Sequence, residues 1–582
     1  MKHELENLLR AARDRLAIDG RIPAGASTIE VQRTRDSKHG DFSCNLAMTL
    51  AAAARLKPRE LAGLLLERIP PSPGVERVEI AGPGFINFFL KREAWLALIP
   101  EILSRGEGYG RAAPGARGRM LVEFVSANPT GPLHVGHGRQ AAFGATVASL
   151  LAATGFDVKR EYYINDSGRQ VDILAVSTWL RYLERCGETL PFPSNCYRGD
   201  YLHAVAEKLQ AGAGDRLRRP AAKVFAGLPP DAPEGDKETH IDAVIGRARE
   251  LIGADGFQEV LDLALQTMLA DIRDDLKEFG VEFDNWYSER SLDGAIDRAL
   301  AVLKKQGRLF MQDGATWFRA TEFGDEKDRV VVRENGQKTY FASDIAYHYD
   351  KRERGFERLL DVLGADHHGY VARVRAGLGA MGYPGECLDV VLIQFVNLFR
   401  GGEKIPMGKR EAQFVTLRDL RTEVGNDACR FFYLMRSQDQ TLDFDLELAK
   451  SRSNDNPVYY IQYAHARICS VFAQLAQRGL RHDRDAGGRN AGRLSEPHEL
   501  SLLTAMSRYP EIIEEAALGY APHQLGYYLR ELANHFHVYY NSHQILIDDT
   551  ALRDARLNLI LAVRQVLRNG LALLGVSAPE TM

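Results

Sequence analysis

His134-Val135-Gly136-His137 sets two imidazoles three residues apart, so on a helix they share one face. Each ring can donate a hydrogen bond to an anionic oxygen. The first turn of a helix adds open N–H groups and a partial positive charge, both favourable to phosphate. Gly136 and Gly138 remove side chains that would hold a nucleotide off the backbone. The chemistry on offer is fixed donors holding charge on a transferring phosphate. A helix start that merely carries two His is the plain alternative, and only the surrounding elements decide.

Those elements read as strand, loop and helix. Leu121 to Val125 is a short apolar run with one interior acid, Glu123, as in a buried parallel strand. Ser126 to Leu133 holds Asn, two Pro, Thr and Gly, a turn-rich loop. A helix of small residues runs from His134 to Thr154, with Gly155 in the C-terminal capping place. This is the opening of a nucleotide-binding βαβ unit. VEFVSANPTGPLHVGHGR resembles the signature of class I aminoacyl-tRNA synthetases in the form used by bacterial arginyl-tRNA synthetases.

Bulk composition fits a large globular enzyme. With 582 residues the chain has room for three or four domains; 45% of them are hydrophobic and 26% charged. A net charge of −4 argues against a protein that coats nucleic acid indiscriminately, but leaves room for a local basic groove. Cys44, Cys186, Cys196, Cys387, Cys429 and Cys469 are scattered without a CxxC pair, which speaks against a disulfide framework and a Cys-based zinc site. No long apolar run or signal peptide is seen, and the N-terminal stretch reads as a charged amphipathic helix. The expectation is a cytoplasmic protein.

Residues 1–104 read as a separate α/β domain, with a helical stripe at Leu5, Leu8, Leu9, Ala12 and Leu16 and a hairpin over 75–90. A plain packing domain is the alternative reading. The resemblance implies an N-terminal extension that contacts the corner of the tRNA, through a loop holding Asp36, Ser37, His39, Gly40 and Asp41. Residues 104–118 read as a linker by composition. The catalytic core is expected over 119–440 as a Rossmann-type sheet, with an insertion at about 169–255. Its second strand runs Asp157 to Ile164 into Asn165-Asp166-Ser167-Gly168, which resembles the family's YYINDAG turn. YRGDYL at 197–202 resembles the family's YxGxY element. Long helices are expected over 257–279 and 292–307, and hairpins at Asp313-Gly314 and Asn335-Gly336. The apolar run 388–399 is expected to be the last core strand. Residues 456–582 read as a helical bundle. With the resemblance, the expected fold class is multidomain α/β: an N-terminal α/β domain, a class I Rossmann-type core with an insertion, and an all-helical bundle that the resemblance makes anticodon-binding.

TYFASDIAYHYDK (339–351) resembles the family's TYFAADIAYHxDK, with a helix expected from about Ser343. Arginine's guanidinium is planar, always charged and carries five donors, so its pocket needs carboxylates and an aromatic or hydroxyl wall. Asp344 with Tyr340 and Tyr347 has that chemistry. Glu123 is read as a second carboxylate or the holder of the α-ammonium, paired with a ligand ahead of an internal Arg, and Asn128 as a neutral partner of the polar head. His134 completes that set, and Gly136, Gly138, His368 and Met407 complete the ATP set with the two His. Metal ligation by Asp366-His367-His368 ranks below a nucleotide or arginine role.

One motif departs from its class. In place of KMSKS the chain has Pro406-Met407-Gly408-Lys409-Arg410. The resemblance gives Lys409 the phosphates, with Arg410 as helper, and Lys404 stands near enough in sequence to be considered as a substitute. In the bundle, NPVYYIQYAHAR and the final GVSAPETM resemble the anticodon-binding domain, which points to Tyr459, Tyr463, His465, Arg467 and Met582. The implied activity is arginine–tRNA ligation. L-arginine and ATP give arginyl-adenylate, and the arginyl group passes to the 2′-hydroxyl of the terminal adenosine of tRNA(Arg). Mg²⁺ would ride on the phosphates without a protein cage. Adenylate formation is expected to need bound tRNA, and the enzyme to be a monomer with neither membrane nor DNA as partner. Two alternatives stand beside it. One is another class I synthetase, for Cys, Gln or Glu. The other is an RNA-binding protein that has kept the fold and lost the chemistry.

Overall fold

A computed structural model describes residues 1–23, 28–365, 369–406 and 415–582. At its centre lie five parallel strands with helices on both faces. In chain order the elements are β1 (Arg119–Phe124), α1 (Val135–Ala153), β2 (Asp157–Ile164), β3 (Asn285–Ser288), α2 (Tyr340–Glu353), β4 (Arg358–Gly364) and β5 (Leu388–Ile393). The strands lie in the order β5-β4-β1-β2-β3, all neighbours parallel. Strand order reverses beside β1, which makes the crevice beyond the carboxyl ends of β1 and β4 the expected ligand site.

Alternation along β1 serves both faces. Met120, Val122 and Phe124 join the apolar core beneath α1, while Leu121 joins the one beneath α2. α1 lies close to the sheet because residue 144 is Gly: a Cβ there would overlap the Phe124 ring. The core beneath α1 continues without a break into the C-terminal bundle, whose helices include Pro457–Gln477, His523–Ser542 and Thr550–Leu574. The last of these is, among the described residues, the one helix long and apolar enough to cross a membrane, and most of it is buried in the bundle.

The first domain is a four-stranded antiparallel sheet covered by helices Lys2–Ile18, Leu46–Ala54 and Pro58–Leu66. A second helical unit, with its own core, joins Arg169–Arg185 to the long helix Lys237–Glu278. That long helix takes in the expected 257–279 helix and reaches back across the expected end of the insertion. It breaks its backbone conformation at Gly253, where φ is 74°.

Four other expectations change. The 104–118 segment is no loose linker: the Tyr109 hydroxyl donates to the Met506 carbonyl at 3.2 Å, and a Cβ at Gly110 would stand 2.8 Å from Ile513 and Tyr509. The 388–399 run is two strands. β5 ends at Ile393 and Val396–Arg400 joins a different sheet, because the Gln394 N–H turns to the Gln438 carbonyl. The Asn335-Gly336 turn forms, but its returning arm is a single bridge from Val332 to Lys338. Thr339 then caps α2, accepting from the Ala342 N–H, so the helix starts at Tyr340 and not Ser343.

Candidate active site

The imidazole pair sits where the motif put it, at the mouth of α1, with its rings stacked at 3.7 Å between centroids. His134 is the N-cap, and its Nδ1 accepts from the Gly136 N–H at 3.1 Å. His137 Nδ1 accepts from the His134 N–H at 3.3 Å. Val135 N–H donates to the Val415 carbonyl. The first-turn N–H groups of these residues are therefore spent inside the protein, and the side chains take over as donors. Because both Nδ1 atoms accept, a neutral ring carries its proton on Nε2. Burial, then the neighbouring His134, push the His137 pKa down to about 3, so it is neutral at physiological pH.

The two glycines also serve packing. A Cβ on Gly136 would meet the His134 ring at 2.9 Å, and one on Gly138 would meet Leu417 and the Tyr433 hydroxyl at 2.7 Å. Arg139, next in the motif, is buried and its guanidinium donates to the carbonyls of Gln394, Gln440 and Ser437 at 2.8–2.9 Å. Burial lowers its pKa to about 10, still charged at neutral pH. It ties the start of α1 to the turn after β5.

The loop after β1 begins with backbone strain. Val125 has φ 68° and Ser126 φ 40°, a conformation that β-branched residues seldom take. Ser126 Oγ donates to Glu123 and accepts from the Tyr163 N–H, which holds the turn. Further along, Asn165 donates to Asn128, and Asn128 to Gln170, so the NPTG loop and the NDSG turn share one polar chain. The Tyr201 hydroxyl donates to the Thr130 carbonyl at 2.6 Å, which anchors the YRGDYL element to the same loop.

The residues expected to hold arginine divide into two groups. Glu123 is engaged: Lys351 Nζ stands 2.6 Å from its carboxylate. Its internal partner is thus a Lys, where the sequence reading sets an Arg beside the ligand as the alternative. Tyr347 is buried, and its hydroxyl donates to Glu161 at 2.8 Å. Asp344, in contrast, forms no ion pair among the described residues. Burial pushes its pKa up to about 7. His348 and Arg373 pull against that rise, and Glu289 and Glu123 add to it. Tyr340 is exposed, and a Cβ built on Gly168 would lie 3.7 Å from its hydroxyl, so it stands beside the NDSG turn.

Sequence reasoning missed Glu289. It follows β3, is half-buried, forms no ion pair among the described residues, and has its pKa raised by burial and then by Asp166. Its signal was faint: one acid after a strand end, in a segment with no recognised motif. His368, Met407, Lys409 and Arg410, with Asp366 and His367, lie outside the described residues.

The expected tRNA residues are spread over two domains. Asp36 and His39 are exposed in the first domain, where the Asp36 carboxylate accepts from the Lys38 N–H. In the bundle, Tyr459 and Tyr463 stack at 6.0 Å, and Arg467 donates to the Tyr463 hydroxyl. Met582 is exposed, but His465 is buried, its Nδ1 2.9 Å from the Pro579 carbonyl; it pins the C-terminal tail.

Comparison with known proteins agrees along the chain. Residues 3–90 match the family described as arginyl tRNA synthetase N terminal domain. Residues 98–188 and 258–445 match tRNA synthetases class I (R), catalytic domain, and 461–582 match the DALR anticodon binding domain. The chain is 58% identical to the arginine–tRNA ligase of Thioalkalivibrio sulfidiphilus and 54% identical to that of Legionella pneumophila (strain Paris), each over 100% of both proteins. Thermus thermophilus arginyl-tRNA synthetase superposes with a TM-score of 0.73 over 100% of both chains at 24% identity, a likeness of fold.

Proposed function

The chain belongs to the arginyl-tRNA synthetases, and on that premise we propose which of its residues carry out arginine–tRNA ligation. The activity is that of a class I arginine–tRNA ligase in translation: L-arginine is activated by ATP and the arginyl group passes to tRNA(Arg). The observation that carries our reading is the pair Asp344 and Glu289, two crowded carboxyls outside any ion pair among the described residues, one in the opening turns of α2 and one just past the carboxyl end of β3. A guanidinium supplies the missing cation. Asp344 and Glu289 take its N–H groups, with Tyr340 as the outer wall and Asn128 toward the polar head.

The arginine carboxylate then attacks the α-phosphorus of ATP, and pyrophosphate leaves. His134 and His137 donate from Nε2 to the phosphate oxygens as charge builds, as neutral donors and not nucleophiles. Lys409 and Arg410 stabilise the departing pyrophosphate. The 2′-hydroxyl of the terminal adenosine next attacks the arginyl carbonyl and AMP leaves. Mg²⁺ would accompany ATP. It would ride on the phosphates, as an ion that keeps much of its water does. The tRNA lies across the exposed Asp36 and His39 and the Tyr459, Tyr463 and Arg467 cluster. The enzyme acts as a cytoplasmic monomer.

Pyrophosphate exchange with L-arginine, with and without tRNA(Arg), tests this reading. Exchange that requires arginine and tRNA and is lost in Asp344→Asn supports it. Exchange retained in Asp344→Asn at unchanged arginine KM refutes the assignment of the pocket.

A further inference from the structure

Three acids occupy one row across the central sheet. Glu161 of β2, Glu123 of β1 and Asp361 of β4 are register partners on adjacent parallel strands, so their side chains emerge on one face, toward α2. Each is almost fully buried. The cations come from a single stripe of α2 and its C-cap. Lys351 bridges Glu123 at 2.6 Å and Asp361 at 2.9 Å. Arg354 grips Glu161 with two N–H groups, at 2.5 and 2.9 Å. His348 spans from Asp361, 2.7 Å from Nε2, to the backbone carbonyl of Asp344, 2.8 Å from Nδ1. Asn285 of β3 extends the row, donating to Glu161.

Stability does not account for this arrangement. Buried ion pairs replaced by well-packed apolar residues are often neutral or stabilising. What ion pairs add over an apolar stripe is definition: each fits in one rotation and one register, whereas an apolar helix face slides and turns at little cost. Here the definition falls on α2, the helix that carries Asp344.

We propose that Arg354 and Lys351 are positioning residues for the arginine pocket: through Glu161, Glu123 and Asp361 they lock α2 on the sheet in the one rotation that turns Asp344 to the crevice. The inference rests on the pocket assignment above and goes beyond it. Neither residue touches substrate. Arg354 lies ten residues from Asp344, roughly 15 Å along a helix, and Lys351 is fully buried. The row also uses up the charge of Glu123, which leaves Asp344 and Glu289, among the described residues, as the carboxyls proposed for a cationic ligand.

The test is the charge-balanced double variant Glu161→Gln/Arg354→Met, which removes both partners together, leaves Asp350 its other partner Arg298, and keeps one amide oxygen to accept from Tyr347 or Asn285. Arginine KM is expected to rise about fivefold or more, since small misplacements at a reacting centre are costly. ATP KM should stay put, and kcat at saturating arginine should fall less than KM rises. Arg354→Lys, which keeps the charge and loses the two-pronged grip, should shift arginine KM in the same sense by less; it carries the test if the double variant does not fold. An unchanged arginine KM in a folded variant, or arginine and ATP KM rising together with a falling thermal midpoint, overturns the proposal. Wild-type enzyme without arginine-dependent exchange would instead overturn the pocket assignment.

Discussion

At the scale of residues, the site works by protonation states that its surroundings impose. His137 is held neutral by burial and by its stacked neighbour, so the pair meets phosphate as hydrogen-bond donors and not as cations. His137→Ala should lower the rate of adenylate formation by about 10²–10³, the usual loss for one preorganised donor, with arginine binding little changed; rapid-quench kinetics reads the two apart. Asp344 behaves oppositely. Its pKa, near 7 in the free enzyme, must fall when a guanidinium binds, so binding costs a proton below pH 7. Calorimetry at pH 8 and pH 6 should show arginine affinity dropping toward about tenfold per pH unit on the acid side. The same shift bears on stability. A carboxyl whose folded pKa lies above its unfolded value of 3.8 destabilises the fold increasingly between pH 3.8 and 7, and fully above 7. Asp344→Asn should therefore raise the melting temperature at pH 8, with the gain shrinking as pH falls toward 5.

At the scale of elements, what matters is how closely pieces approach. Gly144 lets α1 settle on Phe124, and Gly144→Ala should cost about 1–3 kcal/mol or more by overpacking, seen as a lowered denaturation midpoint. Arg139 ties α1 to the turns after β5 and before 442 through three short bonds to carbonyls. Arg139→Met should cost ~3 kcal/mol or more, because bonds to a charged donor are the stronger kind and their acceptors would be stranded. α2 depends on both kinds of constraint, a Thr339 cap at its start and the acidic row along its length.

At the scale of the molecule, the first domain and the bundle are joined directly. Arg33 grips Glu511 with two N–H groups and reaches the Ser507 carbonyl, while its guanidinium lies 4.8 Å over the Phe42 ring. Both domains offer residues proposed to meet tRNA, so their relative placement sets the span of the RNA site. Arg33→Ala should raise the KM for tRNA(Arg) while the arginine KM stays within error; steady-state arginylation with each substrate varied in turn checks it. The bundle is also braced on the catalytic core by Arg430, whose buried guanidinium donates to the carbonyls of Leu574 and Phe279.

Several features were legible from local chemistry. The imidazole pair, the strand 157–164, the first-domain hairpin and the helical C-terminus follow from spacing, periodicity and turn residues, all properties of neighbours along the chain. So was the placing of Asp344 between two Tyr near the start of a helix, because spacing along one helix is a local pattern. The chain could not reveal pairing between distant residues. Whether Glu123 faced substrate or an internal cation depended on Lys351, 228 positions away, and the row it belongs to exists only once three strands are in register. Gly136 and Gly138 looked like room for a nucleotide; that a Cβ on either would also meet His134, or Leu417 and Tyr433, shows only in the packing. Sequence fixes what each residue can do; three-dimensional packing decides which partner it meets first, and a buried charge or an open donor is satisfied by whichever group the fold brings within 3 Å or so.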